Sequence, residues 1–158
     1  MTYNHLAPYY DELHRAEQEK KIQYAKPLIT GKVLDLGAGT GMLADYVDAD
    51  ILGIEPSPKM AAEAATKPIT MIQEKASYIE TLPDNTFDSC TCFTAAHHFN
   101  NPTRIYEEVR RVVKPNRHII FSFLQPSQVQ QPFEKIFNII EKTPIHRDIV
   151  FIARNTES

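Results

Sequence analysis

The sequence predicts an α/β fold, a three-layer sandwich in which helices cover both faces of a mostly parallel sheet of six strands. Short apolar runs alternate with helical segments from Lys32 onward, as strand and crossover helix do in parallel sheets. A glycine-rich turn joins the first strand to the first helix. The chain's 158 residues, 42% apolar, suffice for one sizeable core but not for two ordinary domains.

Ahead of the alternation, residues 1–31 set Tyr9, Leu13, Ile22, Tyr24 and Ala25 among many charges, the pattern of amphipathic helix packed across a sheet edge. The core spans residues 32–124. It begins with strand Val33-Leu34-Asp35-Leu36, a helix from Met42 to Val47, strand Ile51-Leu52-Gly53-Ile54, and a helix from Pro58 to Ala65. Ser57 and Pro58 supply the N-cap and first position of that second helix, and Pro68 follows its end. Ile69 to Gln73 is the third strand.

Past the loop Leu82-Pro83-Asp84-Asn85, Phe87 to Phe93 reads as strand four, Pro102 to Val113 as a helix and His118 to Leu124 as strand five. Lys114-Pro115-Asn116 breaks that helix, and Asn116, tolerant of the left-handed conformation, makes the tight turn into strand five. Residues 125–158 read as a shortened end, with one helix from about Pro132 to Lys142 and one strand from Ile149 to Arg154. No repeat or linker interrupts the chain, so residues 1–158 read as a single domain.

The formal charge is −3 and the basic residues are scattered, which disfavours nucleic acid as a partner. No apolar run reaches membrane-spanning length and the start lacks a secretion pattern, so a soluble, cytoplasmic protein is expected. Cys90 and Cys92 sit in the apolar run of strand four and read as buried thiols rather than a disulfide or metal pair.

The chemistry concentrates in Asp35-Leu36-Gly37-Ala38-Gly39-Thr40-Gly41, answered by Glu55 at the tip of the second strand. Glycines let backbone approach a ligand closely, and an acidic side chain at that tip accepts both hydrogen bonds of a ribose diol. A nucleoside is implied. A dinucleotide fingerprint needs a third glycine where Met42 stands, and Asp35 repels a pyrophosphate while favouring an ammonium and a sulfonium. The pattern therefore favours S-adenosylmethionine over NAD.

These residues resemble the class I S-adenosylmethionine-dependent methyltransferases, a Rossmann-like family. Val33 to Gly41 resembles the family's first motif and Gly53-Ile54-Glu55-Pro56-Ser57 its second. Leu82 to Asp88, Ala95-Ala96-His97-His98-Phe99 and Glu108 to Pro115 are similar to later segments, and the nearest branch holds the ubiquinone and menaquinone methyltransferases. The resemblance implies S-adenosylmethionine as methyl donor, S-adenosylhomocysteine as product, no metal, and a small-molecule acceptor methylated by in-line displacement.

Carried over by position, Asp35 and the Gly37, Ala38, Gly39 and Gly41 backbone hold the methionine moiety, Glu55 the ribose, and Pro56 lies against adenine. Ser77 and Tyr78 stand where an acidic residue often receives the adenine amino group, so that contact is weaker here or comes from the Tyr78 backbone. Phe93 and Thr94 border the methionine end, and Tyr10 is a candidate lid, with ordinary helix packing as its alternative. His97 and His98 are the candidate general bases, at a strand tip with pKa values near working pH; structural packing is the alternative role. Phe93-Thr94-Ala95-Ala96 replaces the proline motif of amino-methylating enzymes and lacks the aspartate of aminopropyl transferases, so the acceptor atom is expected to be oxygen or carbon.

The family follows strand five with two strands, for which the shortened end has no room; one is expected to be missing and the acceptor cleft open. An open cleft is covered by a large substrate, by a second copy or protein partner, or belongs to a catalytically degenerate binding or regulatory subunit.

Overall fold

A computed structural model of the chain describes residues 3–125 and 128–156, with side chains from residue 14 onward. Strands β1 (Lys32–Leu36), β2 (Asp50–Ile54) and β3 (Thr70–Ile72) run parallel in one direction across the sheet. On the other side of β1, strands β4 (Phe87–Phe93) and β5 (Val113–Leu124) continue parallel. The order is β3-β2-β1-β4-β5-β7-β6, so strand order reverses between β1 and β4 and opens a crevice beyond their C-terminal ends.

The sheet has seven strands, one more than the sequence reading gave. Helix α4 (Gln130–Ile136) stops at Phe137, whose backbone is extended, and β6 (Asn138–Ile145) and β7 (Asp148–Arg154) form an antiparallel hairpin turned at His146, φ 56°. β7 returns antiparallel between β5 and β6, so neither terminal strand is missing. β6 escaped notice because it is an edge strand. Only Ile139, Thr143 and Ile145 turn partly inward, and Pro144, which removes a ladder donor, is tolerated at an edge.

The segment after the glycine turn also differs from expectation. Residues 42–49 must pack on the sheet and turn back into β2, which leaves room for one 3-10 turn, Met42–Asp45, in place of a helix to Val47. Helix α2 (Pro58–Ala64) starts as expected, with the Ser57 hydroxyl accepting the Met60 N–H at 3.4 Å. Asn116 takes the left-handed conformation, φ 64°, but within β5: pairing with β4 shifts from Phe87 opposite Val113 to Ser89 opposite His118. The kink is an irregularity in one strand rather than a loop before it.

Helix α1 (Tyr3–Ala25) crosses a sheet face and not an edge. Ile22, Ala25 and Ile29 pack with Val33, Ile51, Ile120, Val150 and Ile152, and the Tyr24 hydroxyl reaches Thr143 of β6 at 2.7 Å. On the opposite face, α3 (Pro102–Val112) buries Tyr106, Val109 and Val112, and the Phe133 ring of α4 lies 4.9 Å from Phe121 and 5.9 Å from Phe151. Burial of these aromatic side chains, about 1.5–3 kcal/mol each, anchors both helices over β5 and β7. Cys90 and Cys92 are buried free thiols, as their apolar setting implied. Among the described residues no helix is long and apolar enough to cross a membrane.

Candidate active site

The glycine turn is fastened to the second strand before any side chain is considered. The Gly37 and Ala38 N–H groups donate to the Ile54 carbonyl at 2.9 and 3.0 Å, which curls the turn over the tip of β2. Gly37 has φ +68°, and a Cβ there would lie 2.3 Å from the Ala95 Cβ, so the loop after β4 seats directly on this glycine. Gly39, φ +59°, faces open space: a Cβ there would meet nothing within 4 Å.

Glu55 sits beneath that space, 7% exposed. Its Oε1 accepts the Gly39 N–H and its Oε2 the Ser57 N–H, each at 2.9 Å. Two backbone donors fix the carboxylate plane and leave a second lone pair on each oxygen for another donor. Gly41 lies behind the turn, buried against Ala64.

Asp35 occupies the middle of the site, between Gly53 of β2 and Thr91 of β4 in register. It is 4% exposed and accepts one hydrogen bond, from the Thr91 hydroxyl at 2.8 Å. Burial pushes its pKa up to about 7; the Thr91 bond opposes this and the Glu55 charge adds to it. A buried carboxyl of this kind is suited to a cationic ligand group.

The remaining predicted residues lie at the end of β4, on the segments that follow β2, β3 and β4, and on α1. Pro56 is exposed beside Glu55. Ser77 is exposed and Tyr78 half-buried on the 3-10 turn Ala76–Thr81 after β3, where the Tyr78 N–H donates to the Lys75 carbonyl at 2.9 Å and so is already engaged. Phe93 and Thr94 end β4, with Thr94 at φ 56°, an uncommon conformation for a β-branched residue. Tyr10 belongs to α1, but its side chain lies outside the described residues.

The two histidines part company on the turn Ala96–His98. Their ring centroids are 4.0 Å apart, yet His97 alone of the two lines a cavity of about 350 Å³ with Ala96, Ser122, Phe123, Leu124, Gln128 and Val129. Burial, and then the neighbouring His98, lower the His97 pKa while Asp148 opposes, which favours a neutral imidazole able to accept a proton. Among the described residues no group of three or more His, Cys, Asp or Glu is placed to hold a metal.

Sequence reasoning missed Thr91, Ser57 as a backbone donor, and the buried Lys21, Ser122 and Asp148, which form a cluster around the predicted Thr94 behind β4. Thr91 was legible in principle, being the polar residue between Cys90 and Cys92. The cluster was not, since its partners lie up to 127 positions apart.

The open space at Gly39 over an anchored carboxylate fits a ribose, and Asp35 behind it fits an ammonium or sulfonium. Known proteins agree. The methyltransferase domain family matches residues 34–121. The chain is 34% identical over 119 residues to the uncharacterized methyltransferase YcgJ of Bacillus subtilis, covering 67% of this chain and 47% of that one. It is 29% identical over 113 residues to the ubiquinone biosynthesis O-methyltransferase of Aliivibrio fischeri strain ES114, covering 65% and 48%. The chain thus spans about half the length of these curated relatives. In fold it resembles a SAM dependent methyltransferase from Aquifex aeolicus, with TM-score 0.72 and 20% identity, covering 87% of this chain and 89% of that one. The glycine turn and the acidic residues Asp35 and Glu55 lie within the matched region: the chain belongs to the class I S-adenosylmethionine-dependent methyltransferase family.

Proposed function

We propose that this domain transfers the methyl group of S-adenosylmethionine to a small uncharged organic molecule, at oxygen or carbon. The observation that carries the reading is the Glu55 carboxylate, clamped by the Gly39 and Ser57 N–H groups under the open space at Gly39. In this reading Glu55 binds the ribose diol, Asp35 and the Gly37 to Gly41 backbone bind the methionine end, and Pro56, Ser77 and Tyr78 border the adenine. The bound donor supplies a methyl carbon already attached to an excellent leaving group, so alignment of the acceptor accounts for much of the rate.

The acceptor fits the cavity beyond the tips of β4 and β5. Its lining among the described residues is mostly apolar, with Ser122, His97 and Gln128 as polar groups and no Lys, Arg, Asp or Glu, which suits a molecule without formal charge. His97 takes the proton of an acceptor hydroxyl as the new bond forms, and the methyl carbon changes partners from sulfur to oxygen. His98, outside the cavity lining, has no such role.

Incubation with methyl-labelled S-adenosylmethionine and a panel of neutral hydroxylated and carbon-acid acceptors, beside charged analogues, tests this. Label transfer with equimolar S-adenosylhomocysteine is expected. Transfer confined to charged acceptors would overturn the substrate class.

A further inference from the structure

This reading leaves the polar cluster behind β4 without a role. Lys21 on α1 and Asp148 at the start of β7 form an ion pair at 2.6 Å, their side chains 3% and 5% exposed. The Thr94 hydroxyl sits between them, accepting from the Lys21 ammonium at 2.9 Å and donating to the Asp148 carboxylate. The Thr94 N–H donates to the Ser122 hydroxyl at 2.9 Å, and one turn earlier on α1 the Gln18 amide donates to the Phe93 carbonyl at 3.4 Å. Burying an ion pair is costly, and an apolar pair of the same size would join α1 to the sheet as well.

What the cluster secures is a conformation. Thr94 is β-branched and held at φ 56°, where glycine or asparagine sits with less strain. From that turn the chain runs directly into both halves of the site: Ala95 lies against Gly37 of the cofactor loop, and His97 and Ser122 line the cavity. A change of the Thr94 backbone displaces both together.

We propose that Lys21 and Asp148 are positioning residues of this methyltransferase, which hold Thr94 in its left-handed turn and so set Ala95 against the cofactor loop and His97 at the cavity. The inference rests on the proposed reading of the site. It is distinct from a merely structural tie because its effect passes through one backbone conformation.

The test measures S-adenosylhomocysteine affinity by calorimetry beside the thermal midpoint. Lys21→Met/Asp148→Asn removes both charges and leaves no buried ion alone. We expect it to bind at least tenfold more weakly than the unmodified protein, and adding Thr94→Asn, which favours the left-handed turn without the anchors, to recover at least threefold. Unchanged affinity in the folded double variant, or no recovery with Thr94→Asn, overturns the proposal. Thr94→Val guards against a double variant that does not fold: it keeps the β-branch, its backbone strain and the ion pair but loses the hydroxyl tether. Weaker binding by the folded variant supports the proposal; unchanged binding overturns it. No binding by the unmodified protein overturns the site reading itself, and this proposal with it.

Discussion

The Glu55 carboxylate lies 2.9 Å from the Gly39 backbone N–H, so the acidic tip of β2 is bonded to the glycine turn it faces. The bond crosses from the second strand to the loop after the first. It fixes a polar floor beneath the open space at Gly39 and makes both residues parts of one device. Removing either member therefore has separable effects on binding and on folding.

Glu55→Ala deletes the acceptor for a ribose diol and strands two backbone donors. Hydrogen bonds to a charged group contribute about 1.5–3 kcal/mol each, so losing the two diol bonds is expected to lower S-adenosylhomocysteine affinity by at least about a hundredfold. Calorimetric titration beside circular dichroism checks it; unchanged affinity in folded protein contradicts the role given to Glu55.

Gly39→Val acts differently. No protein atom obstructs the new side chain, so the folding cost is the strain of a left-handed non-glycine residue, about 1–2 kcal/mol. The valine fills the ligand's space. A melting point only a few degrees lower, with binding abolished, is the expected pair of results.

Asp35 gives the protein a pH signature. Its folded pKa is raised to about 7 from 3.8, so between those values the unfolded chain is ionised while the folded protein keeps the proton. Stability from this group is full below pH about 4 and is lost as pH rises to about 7, a contribution on the order of 4 kcal/mol. Ligand affinity runs the other way: the ionised carboxylate attracts an ammonium, so binding tightens as pH rises through about 7 and levels about one unit above it. Asp35→Asn flattens both profiles in denaturation and titration series.

His97→Ala and His98→Ala separate the histidines once an accepted substrate is in hand. The first is expected to slow methyl transfer at least tenfold with S-adenosylhomocysteine affinity unchanged, and the second to leave the rate within about twofold. Equal effects in single-turnover assays contradict the assignment to His97.

The centre of the fold was legible because its signals are local. Val33 to Gly41, Ile51 to Glu55 and Phe87 to Phe93 each carry strand periodicity and a strand-end residue in one short run, and the strands fall there. The Ser57 cap and the left-handed backbone of Asn116 were legible for the same reason, since one residue type suffices to identify each, although Asn116 kinks β5 instead of turning into it. The terminal hairpin was obscured because β6 buries little and carries Pro144, so its pattern resembles a helix face or a loop. The Lys21–Asp148 pair was invisible for a different reason. Its meaning exists only when α1 crosses the sheet face to meet β7, and neither residue has a local pattern that marks it for burial.

The most direct test of the central claim is calorimetric titration of the protein with S-adenosylmethionine and S-adenosylhomocysteine, with NAD as control. The account predicts saturable micromolar binding of the first two at one site per chain, lost in Glu55→Ala, and no binding of NAD. Binding of NAD alone, or of none of the three by folded protein, would contradict it.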